Sequence, residues 1–266
     1  MIRKLTENDR KITLEFLSDE SAINLFIIGD IECFGFNEDF QDLWGAFNDS
    51  DQLEGVLLRF NESYIPYYKD LNFDSTDFKN IITDDSRKKI ISGKESIVKQ
   101  FRGILKSQKE KSMYFCELKE GSRLKEFGSH IKIATEDDAG RIYYLLEEIE
   151  EFQTTDTNSV ERIKKVISSK SGRIYFIEDE NSKMLTVSQT TAENSKSAMV
   201  VGVATRKGYR GNGLMSECLS KLSHDVLSEG KSLCLFYDNP KAGSVYHKIG
   251  FESIDRWLLL IAGKGE

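Results

Sequence analysis

Eight residues at the start of the chain return half a chain later. Ile2-Arg3-Lys4-Leu5-Thr6-Glu7-Asn8-Asp9 corresponds to Ile131-Lys132-Ile133-Ala134-Thr135-Glu136-Asp137-Asp138, an offset of 129 in 266 residues. Each copy is a short strand-like stretch, then Thr-Glu-x-Asp, then an amphipathic segment; Phe16-Leu17 falls opposite Leu145-Leu146. A threonine with an acid three residues on is a helix-start signature, because each side chain satisfies a backbone N–H of the other. A period close to half the length is what a tandem duplication leaves. The chain is therefore expected to fold as two similar halves, residues 1–126 and 127–266, with the boundary near residues 125–129.

The second half shows alternating hydrophobic periods. Residues 131–134 read as a strand and 136–151 as a helix carrying Ile142, Leu145, Leu146 and Ile149 on one face. A second helix is expected at 159–169 and three strands at 173–178, 184–191 and 198–205, with turn-forming Asp-Glu-Asn-Ser and Ala-Glu-Asn-Ser between them. Then come a helix at 212–228, a strand at 232–237, a short helix at 241–248 and a final strand region at 251–261. The order β-α-α-β-β-β-α-β-α-β is an α/β layout. In the first half the same reading gives helices at 7–17 and 20–33, strands at 43–47 and 53–60, a strand ending at Ile91 and a helix at 95–105.

Charge narrows the function classes. The net charge of −7 and pI near 5.3 argue against non-specific binding to nucleic acid or to anionic membranes, both of which require clustered Lys and Arg. No run of 18 apolar residues exists, and Met1 to Glu7 lacks the apolar core of a signal peptide, so the chain reads as cytoplasmic. Cys33, Cys116, Cys218 and Cys234 form no CxxC pair and the three histidines stand apart, so zinc-ligand spacing is absent. Cys218 and Cys234 lie in apolar-periodic segments and are expected to be buried free thiols.

Any anionic ligand must then be held by a local positive feature, and one stretch supplies it. Val200-Val201-Gly202-Val203-Ala204-Thr205-Arg206-Lys207-Gly208-Tyr209-Arg210-Gly211-Asn212-Gly213-Leu214-Met215 is an apolar strand, a glycine-rich turn and a helix start. Glycines let the backbone approach an anion, the helix's free N–H groups point at it, and Arg206, Lys207 and Arg210 add charge, a combination suited to a pyrophosphate. Gly211-x-Gly213-x-x-Ser216 is close to a dinucleotide-binding loop, with Asp238 near the position of a ribose-binding acid. The third glycine is missing, however, and the 28 residues after Asp238 are too few for a doubly wound sheet. A P-loop is excluded because no Gly-Lys-Ser/Thr ends the turn; Ser92-Gly93-Lys94 has the wrong order.

Arg210-Gly211-Asn212-Gly213-Leu214-Met215 resembles the R/Q-x-x-G-x-G/A motif of GNAT-superfamily N-acetyltransferases, with Met215 in place of the last Gly or Ala. Further on, the run from Asp238 and Asn239 through Ala242 and Tyr246 to Gly250-Phe251 resembles that family's N-x-x-A-x-x-x-Y-x-x-x-G-F segment. The resemblance implies two tandem GNAT-like domains, each with a mixed, mostly antiparallel central sheet flanked by helices. The first is expected to be a degenerate copy, since the offset sets the acidic stretch Ile81-Ile82-Thr83-Asp84-Asp85 against the glycine turn. It also implies acetyl-CoA as cosubstrate. Val203, Ala204 and Thr205 would face the pantetheine arm and thioester, and Arg210, Gly211, Asn212, Gly213, Leu214, Met215 and Ser216 the pyrophosphate. Asn239 would touch the coenzyme or simply start a helix, and Tyr246 would protonate the departing thiolate or pack as a core aromatic. Gly202 marks either a bulge or a plain strand residue. His247, beside Tyr246, is assigned no role.

Amine attack on a thioester also requires a base. Glu193, just before the coenzyme-binding strand, is the first candidate, with Glu147, Glu148, Glu150 and Glu151 as alternatives that otherwise form a solvated helix face. The expected acceptor is a small-molecule amine, and the acidic balance favours a cationic one. Tyr64, Tyr67 and Tyr68 either line an acceptor cleft or pack in the core. The competing readings are a non-catalytic acyl-CoA-binding module and a protein-interaction module.

Overall fold

The computed structural model describes residues 1–149 and 159–263. The first repeat runs β1 (Ile2–Lys4), α1 (Arg10–Ser18), α2 (Leu25–Phe34), β2 (Gln41–Phe47), β3 (Leu53–Phe60), β4 (Ser63–Tyr68), α3 (Thr76–Asp84), β5 (Ile90–Lys94), α4 (Glu95–Val98) and β6 (Lys109–Leu118). The second runs β7 (Lys132–Ile133), α5 (Ala139–Glu147), α6 (Val160–Ser168), β8 (Ile174–Glu178), β9 (Met184–Thr191), β10 (Ser197–Thr205), α7 (Leu214–Ser228), β11 (Ser232–Tyr237), α8 (Pro240–Ile249) and β12 (Glu252–Ile261). The two orders are identical, which is the duplication that the opening octapeptide signalled.

Both copies of Thr-Glu-x-Asp form the capping box. The Thr6 N–H donates to Asp9 at 2.8 Å and the Thr135 N–H to Asp138 at 3.0 Å, each closing a single 3-10 turn before α1 or α5. The helices expected at 7–17 and 136–151 therefore begin later, at Arg10 and Ala139. Arg3 clamps Asp9 with two bonds and holds its carboxyl down at about 2.

Packing divides the chain into two units, Met1–Phe115 with Ser253–Glu266, and Cys116–Glu252. The expected boundary at 126/127 differs from this division because a strand from each repeat belongs elsewhere. The end of β6 joins the second unit, and β12 joins the first, where Trp257–Ile261 pairs antiparallel with Lys94–Ile90. The first unit orders its strands β1-β2-β3-β4-β5-β12 and the second β6-β11-β10-β9-β8-β7. β4–β5 and β10–β11 pair parallel.

In the first unit β4 and β5 pair only at Ser63–Ile90 and Tyr64–Ile91, then part. The space is filled from within: a Cβ on Gly93 would lie 3.2 Å from the Val98 side chain and 3.6 Å from the Pro66 carbonyl. Tyr64, Tyr67 and Tyr68 are all buried, so they pack as core residues. The turn before α3 holds Asp70 and Asp74, Phe73 stacks on Tyr68 at 4.7 Å, and Asp74 itself accepts the Thr76 amide at 3.0 Å. The offset alignment of Arg210 with Ile81 does not survive in three dimensions. Ile81 lies inside α3, the counterpart of α7, so the turn at 69–75 is the counterpart of the glycine turn.

Three first-unit elements, β4, α3 and β6, have no counterpart in the sequence reading, and β5 starts at Ile90 where a strand was expected to end. Pro66 within β4 and the short β5 weaken the strand signal. The helix expected at 95–105 is one turn of α-helix and one of 3-10.

Both tryptophans, Trp44 and Trp257, lie in the first unit, so indole emission reports that unit alone. Leu260 on β12 is fully buried opposite Ile91. Leu260→Ala is expected to cost about 2–5 kcal/mol and to lower the urea midpoint of the tryptophan emission transition. An unmoved midpoint would contradict the placement of β12.

Candidate active site

The site begins with a defect in β10. Along one edge β10 pairs antiparallel with β9, and the register shifts between Val201 and Ala204. Gly202 sits in this bulge with φ of +55°, and a Cβ there would stand 2.2 Å from the Gln189 amide nitrogen. Of the two readings open for Gly202, the structure selects the bulge. Along its other edge β10 pairs with β11 only from Ser197–Ser232 to Met199–Cys234. Beyond Met199 the two parallel strands part, leaving backbone unpaired by a ladder on both sides of the opening.

A cavity of about 730 Å³ occupies this opening. The structure brings to its wall Val203, Ala204 and Thr205 from β10, Arg210, Gly211 and Gly213 from the turn, and Leu214, Met215 and Ser216 from the first turn of α7. Asn239 and Tyr246 complete the opposite wall. Of the expected coenzyme residues only Asn212 does not line it.

The turn is shaped by its own bonds. Arg206 donates to the Met184 carbonyl at 2.7 Å and pairs with Glu148, while Arg210 donates from Nε to the Thr205 carbonyl at 3.0 Å. Gly211 and Gly213 have φ of +85° and +83°, and a Cβ at either would meet nothing within 4 Å. These glycines are thus required by the left-handed backbone. Gly213 is the N-cap of α7 and supplies no side-chain acceptor, so the first-turn amides of this 15-residue helix go uncapped. A bare N-terminus at a cavity is an anion site by geometry and by dipole. Met215 packs its side chain against the core built on Cys218, Leu219 and Leu222, so its size does not obstruct the backbone at the cavity.

The opposite wall is α8. Asn239 caps it by accepting the Lys241 amide at 2.9 Å, with Pro240 in the first turn, so its helix-starting role is met and its place on the wall is additional. Tyr246 packs between the Tyr237 ring at 6.2 Å and the Phe251 ring at 6.0 Å. Burial raises its phenol pKa, which keeps it protonated. Among the described residues its hydroxyl has no hydrogen-bond partner.

Two residues to which the sequence assigned no role, Tyr237 and His247, adjoin Tyr246. Tyr237, at the end of β11, lines the cavity and its hydroxyl meets His247 Nε2 at 2.9 Å. The Phe251 carbonyl can only accept, so His247 Nδ1, 2.8 Å away, is the donor and carries the proton. Gly243 makes room for this arrangement, since a Cβ there would stand 2.4 Å from the Tyr237 ring. A glycine inside a helix costs about 1 kcal/mol relative to alanine, and that unfavourable residue was the available signal.

Glu193 is not brought to the cavity. It follows β9, and the Met199–Thr191 pairing sets it near the Ser197 end of β10, whereas Thr205 at the other end lines the cavity. Nine strand residues separate the ends by roughly 26 Å. Arg173 donates to both Glu193 carboxylate oxygens, at 2.9 and 2.7 Å, and also binds Glu229. Glu148 is held by Arg206 at the end of α5, and Glu150 and Glu151 lie outside the described residues. Among the described lining residues, Asp238 is the only carboxylate. Cys218 is buried, and its thiol is pushed up to about 12 by desolvation, the opposite of an activated nucleophile.

The Arg173 hydrogen bond holds the Glu229 carboxyl at about 2, below its ordinary 4.5. A depressed carboxylate pKa gives stability that is complete above 4.5 and lost as pH falls toward 2. Acid titration followed by circular dichroism is expected to show the second unit weakening in that window. Glu193→Gln is expected to cost about 1–3 kcal/mol of stability while calorimetric affinity for acetyl-CoA stays at the wild-type value. A selective loss of turnover with full stability would instead return Glu193 to catalysis.

The sequence profile described as the acetyltransferase (GNAT) family matches residues 140–251. No curated protein matches the chain by sequence. Several solved structures share its fold at low identity. A Drosophila protein superposes with a TM-score of 0.74 at 7% identity, over 98% of each chain. A tandem GNAT protein from the clavulanic acid biosynthesis pathway gives 0.60 at 13%, over 100% of this chain and 99% of its own. A GCN5-related N-acetyltransferase from Sphaerobacter thermophilus gives 0.62 at 12%, over 98% and 94%. Among the described residues no helix is long and apolar enough to cross a membrane. The profile match takes in the β10 bulge, the glycine turn and α8 together, so residues 140–251 carry the match to the acetyltransferase (GNAT) family within a chain of tandem GNAT fold.

Proposed function

We propose that the second unit moves an acetyl group from acetyl-CoA to a small-molecule amine by direct attack in a ternary complex. The observation that carries this reading is one cavity joining a parted strand pair to an uncapped helix N-terminus. The pyrophosphate suits the amides after Gly211 and Gly213, where no side chain obstructs approach. The pantetheine arm fits the opening beside Val203, Ala204 and Thr205, where β10 has left β11. Coenzyme A would supply the activated thioester, and the chain supplies orientation, donors and proton transfer.

Tyr246 is the acid in this scheme. Its desolvated phenol holds its proton at neutral pH and can pass it to the thiolate as the C–S bond breaks. The first unit serves as a degenerate copy without coenzyme: its strand gap is filled by side chains, and Asp70 and Asp74 stand where the second unit has its glycine turn. A non-catalytic acyl-CoA-binding role is the second reading, favoured by the engagement of Glu193 with Arg173 far from the cavity.

Saturating acetyl-CoA at about 100 times its Kd is expected to add roughly 2.7 kcal/mol to the stability of the wild type. Gly213→Asp combines a left-handed backbone with a carboxylate at the anion site and is expected to abolish that gain. No stabilisation of the wild type in a thermal melt would reject the coenzyme reading. Tyr246→Phe is expected to lower kcat by about 100-fold with acetyl-CoA affinity held. Binding without turnover of any amine would establish the non-catalytic reading instead.

A further inference from the structure

Acyl transfer in the proposed scheme releases a proton from the acceptor ammonium, and the carboxylate expected to receive it lies at the far end of β10. The cavity wall carries a different device. We propose that Tyr237 and His247 form a relay that carries the acceptor's proton out of the cavity. This inference rests on the acetyl-transfer reading given above.

Three observations place the relay. Tyr237 is both a wall residue and a hydrogen-bond partner of His247 Nε2, at 2.9 Å. The Phe251 carbonyl accepts a hydrogen bond from His247 Nδ1 at 2.8 Å, so in the neutral ring the lone pair sits on Nε2 and faces the Tyr237 hydroxyl. Gly243 lets the Tyr237 ring lie against α8, where any larger residue would displace it. His247 also differs from the other two histidines. His130 and His224 stand beside Glu217 and Asp225, whereas the ring nitrogens of His247 meet only a phenol and a carbonyl. The charged groups on neighbouring elements are Lys248 on α8, the Arg123–Glu252 pair flanking Gly250 and Phe251, and Glu120. None of them is paired with His247. Imidazole is the side chain whose charge changes between pH 5 and 8, which suits a temporary proton store.

The balance is simple. The acceptor ammonium gives one proton to the Tyr237 oxygen as the Tyr237 hydroxyl proton moves to His247 Nε2, leaving a neutral amine and an imidazolium. The amine nitrogen bonds to the thioester carbonyl carbon, the C–S bond breaks, and the sulfur takes a proton from Tyr246. The second N–H proton restores Tyr246. His247, half-buried on α8, releases its proton to solvent, so one amide, one thiol and one proton leave. Tyr237 is the group that touches the acceptor; His247 acts through it.

Variants His247→Gln and Tyr237→Phe test the relay. Glutamine can still accept from the phenol but cannot hold a proton. Acetyl-CoA affinity would be measured by calorimetry, and thiol release with a panel of primary amines (a polyamine, an arylalkylamine and an amino acid) from pH 5 to 9. The relay predicts that kcat/KM of the wild type falls on the acid side as the imidazole protonates. Both variants are expected to lose that limb and about 100-fold in turnover, with acetyl-CoA Kd within about twofold of wild type. A His247→Gln protein that keeps both the limb and the rate would overturn the relay and leave acetyl transfer standing. Wild-type binding with no turnover would also overturn it. Failure of the wild type to bind acetyl-CoA at all would remove the underlying reading, a result distinct from either.

Discussion

The parting of β10 from β11 is the constraint on which the second unit's chemistry depends. Parallel strands normally satisfy each other's amides along their length. Here the ladder stops after Met199, and the bulge at Gly202 follows within three residues. Bulges store local irregularity where a function needs backbone exposed. The opening places β10 backbone, the glycine turn and the α7 N-terminus around one volume. A net charge of −7 would otherwise discourage an anionic ligand, and helix dipole with turn amides provides a local answer without a basic patch.

The same topology occurs twice and has been used differently. In the first unit β4 and β5 also part after two residue pairs, but Val98 and Pro66 close the space. The turn before its third helix has aspartates in place of glycines, and one of them, Asp74, accepts the Thr76 amide. Closing the gap converts an anion site into core, with apolar burial as the stabilising gain. The strand exchange recorded in the division into units, β12 with the first and the end of β6 with the second, ties residues distant in sequence into each unit.

Within the second unit, polar groups are sorted by distance from the cavity. Far from it, Arg173 gathers Glu193 and Glu229 into a charged cluster whose bonds are all used. At the cavity the groups are phenols: Tyr246 with its raised pKa and Tyr237 joined to His247. A protonated phenol can give its proton to a developing thiolate, whereas a carboxylate locked to a guanidinium is held away from the reacting groups.

Local signals were strong wherever a residue type acts through its own backbone. The capping boxes at Thr6 and Thr135, the glycine turn at Gly211 and Gly213, and the Asn239–Pro240 helix start could all be read from the sequence. So could the ten-element order of the second half, since each of these depends on neighbours within a few positions. Most of the cavity wall followed from them, because the turn and α8 carry it. What only the tertiary structure decided involves contacts between residues far apart in the chain. Glu193 lies four residues before β10 in sequence, yet at the wrong end of the strand, since strand direction is not a sequence-local property. Tyr237, Gly243 and His247 meet only once β11 is laid on α8. The ownership of β6 and β12 depends on strand pairing across more than a hundred residues, which no local period encodes.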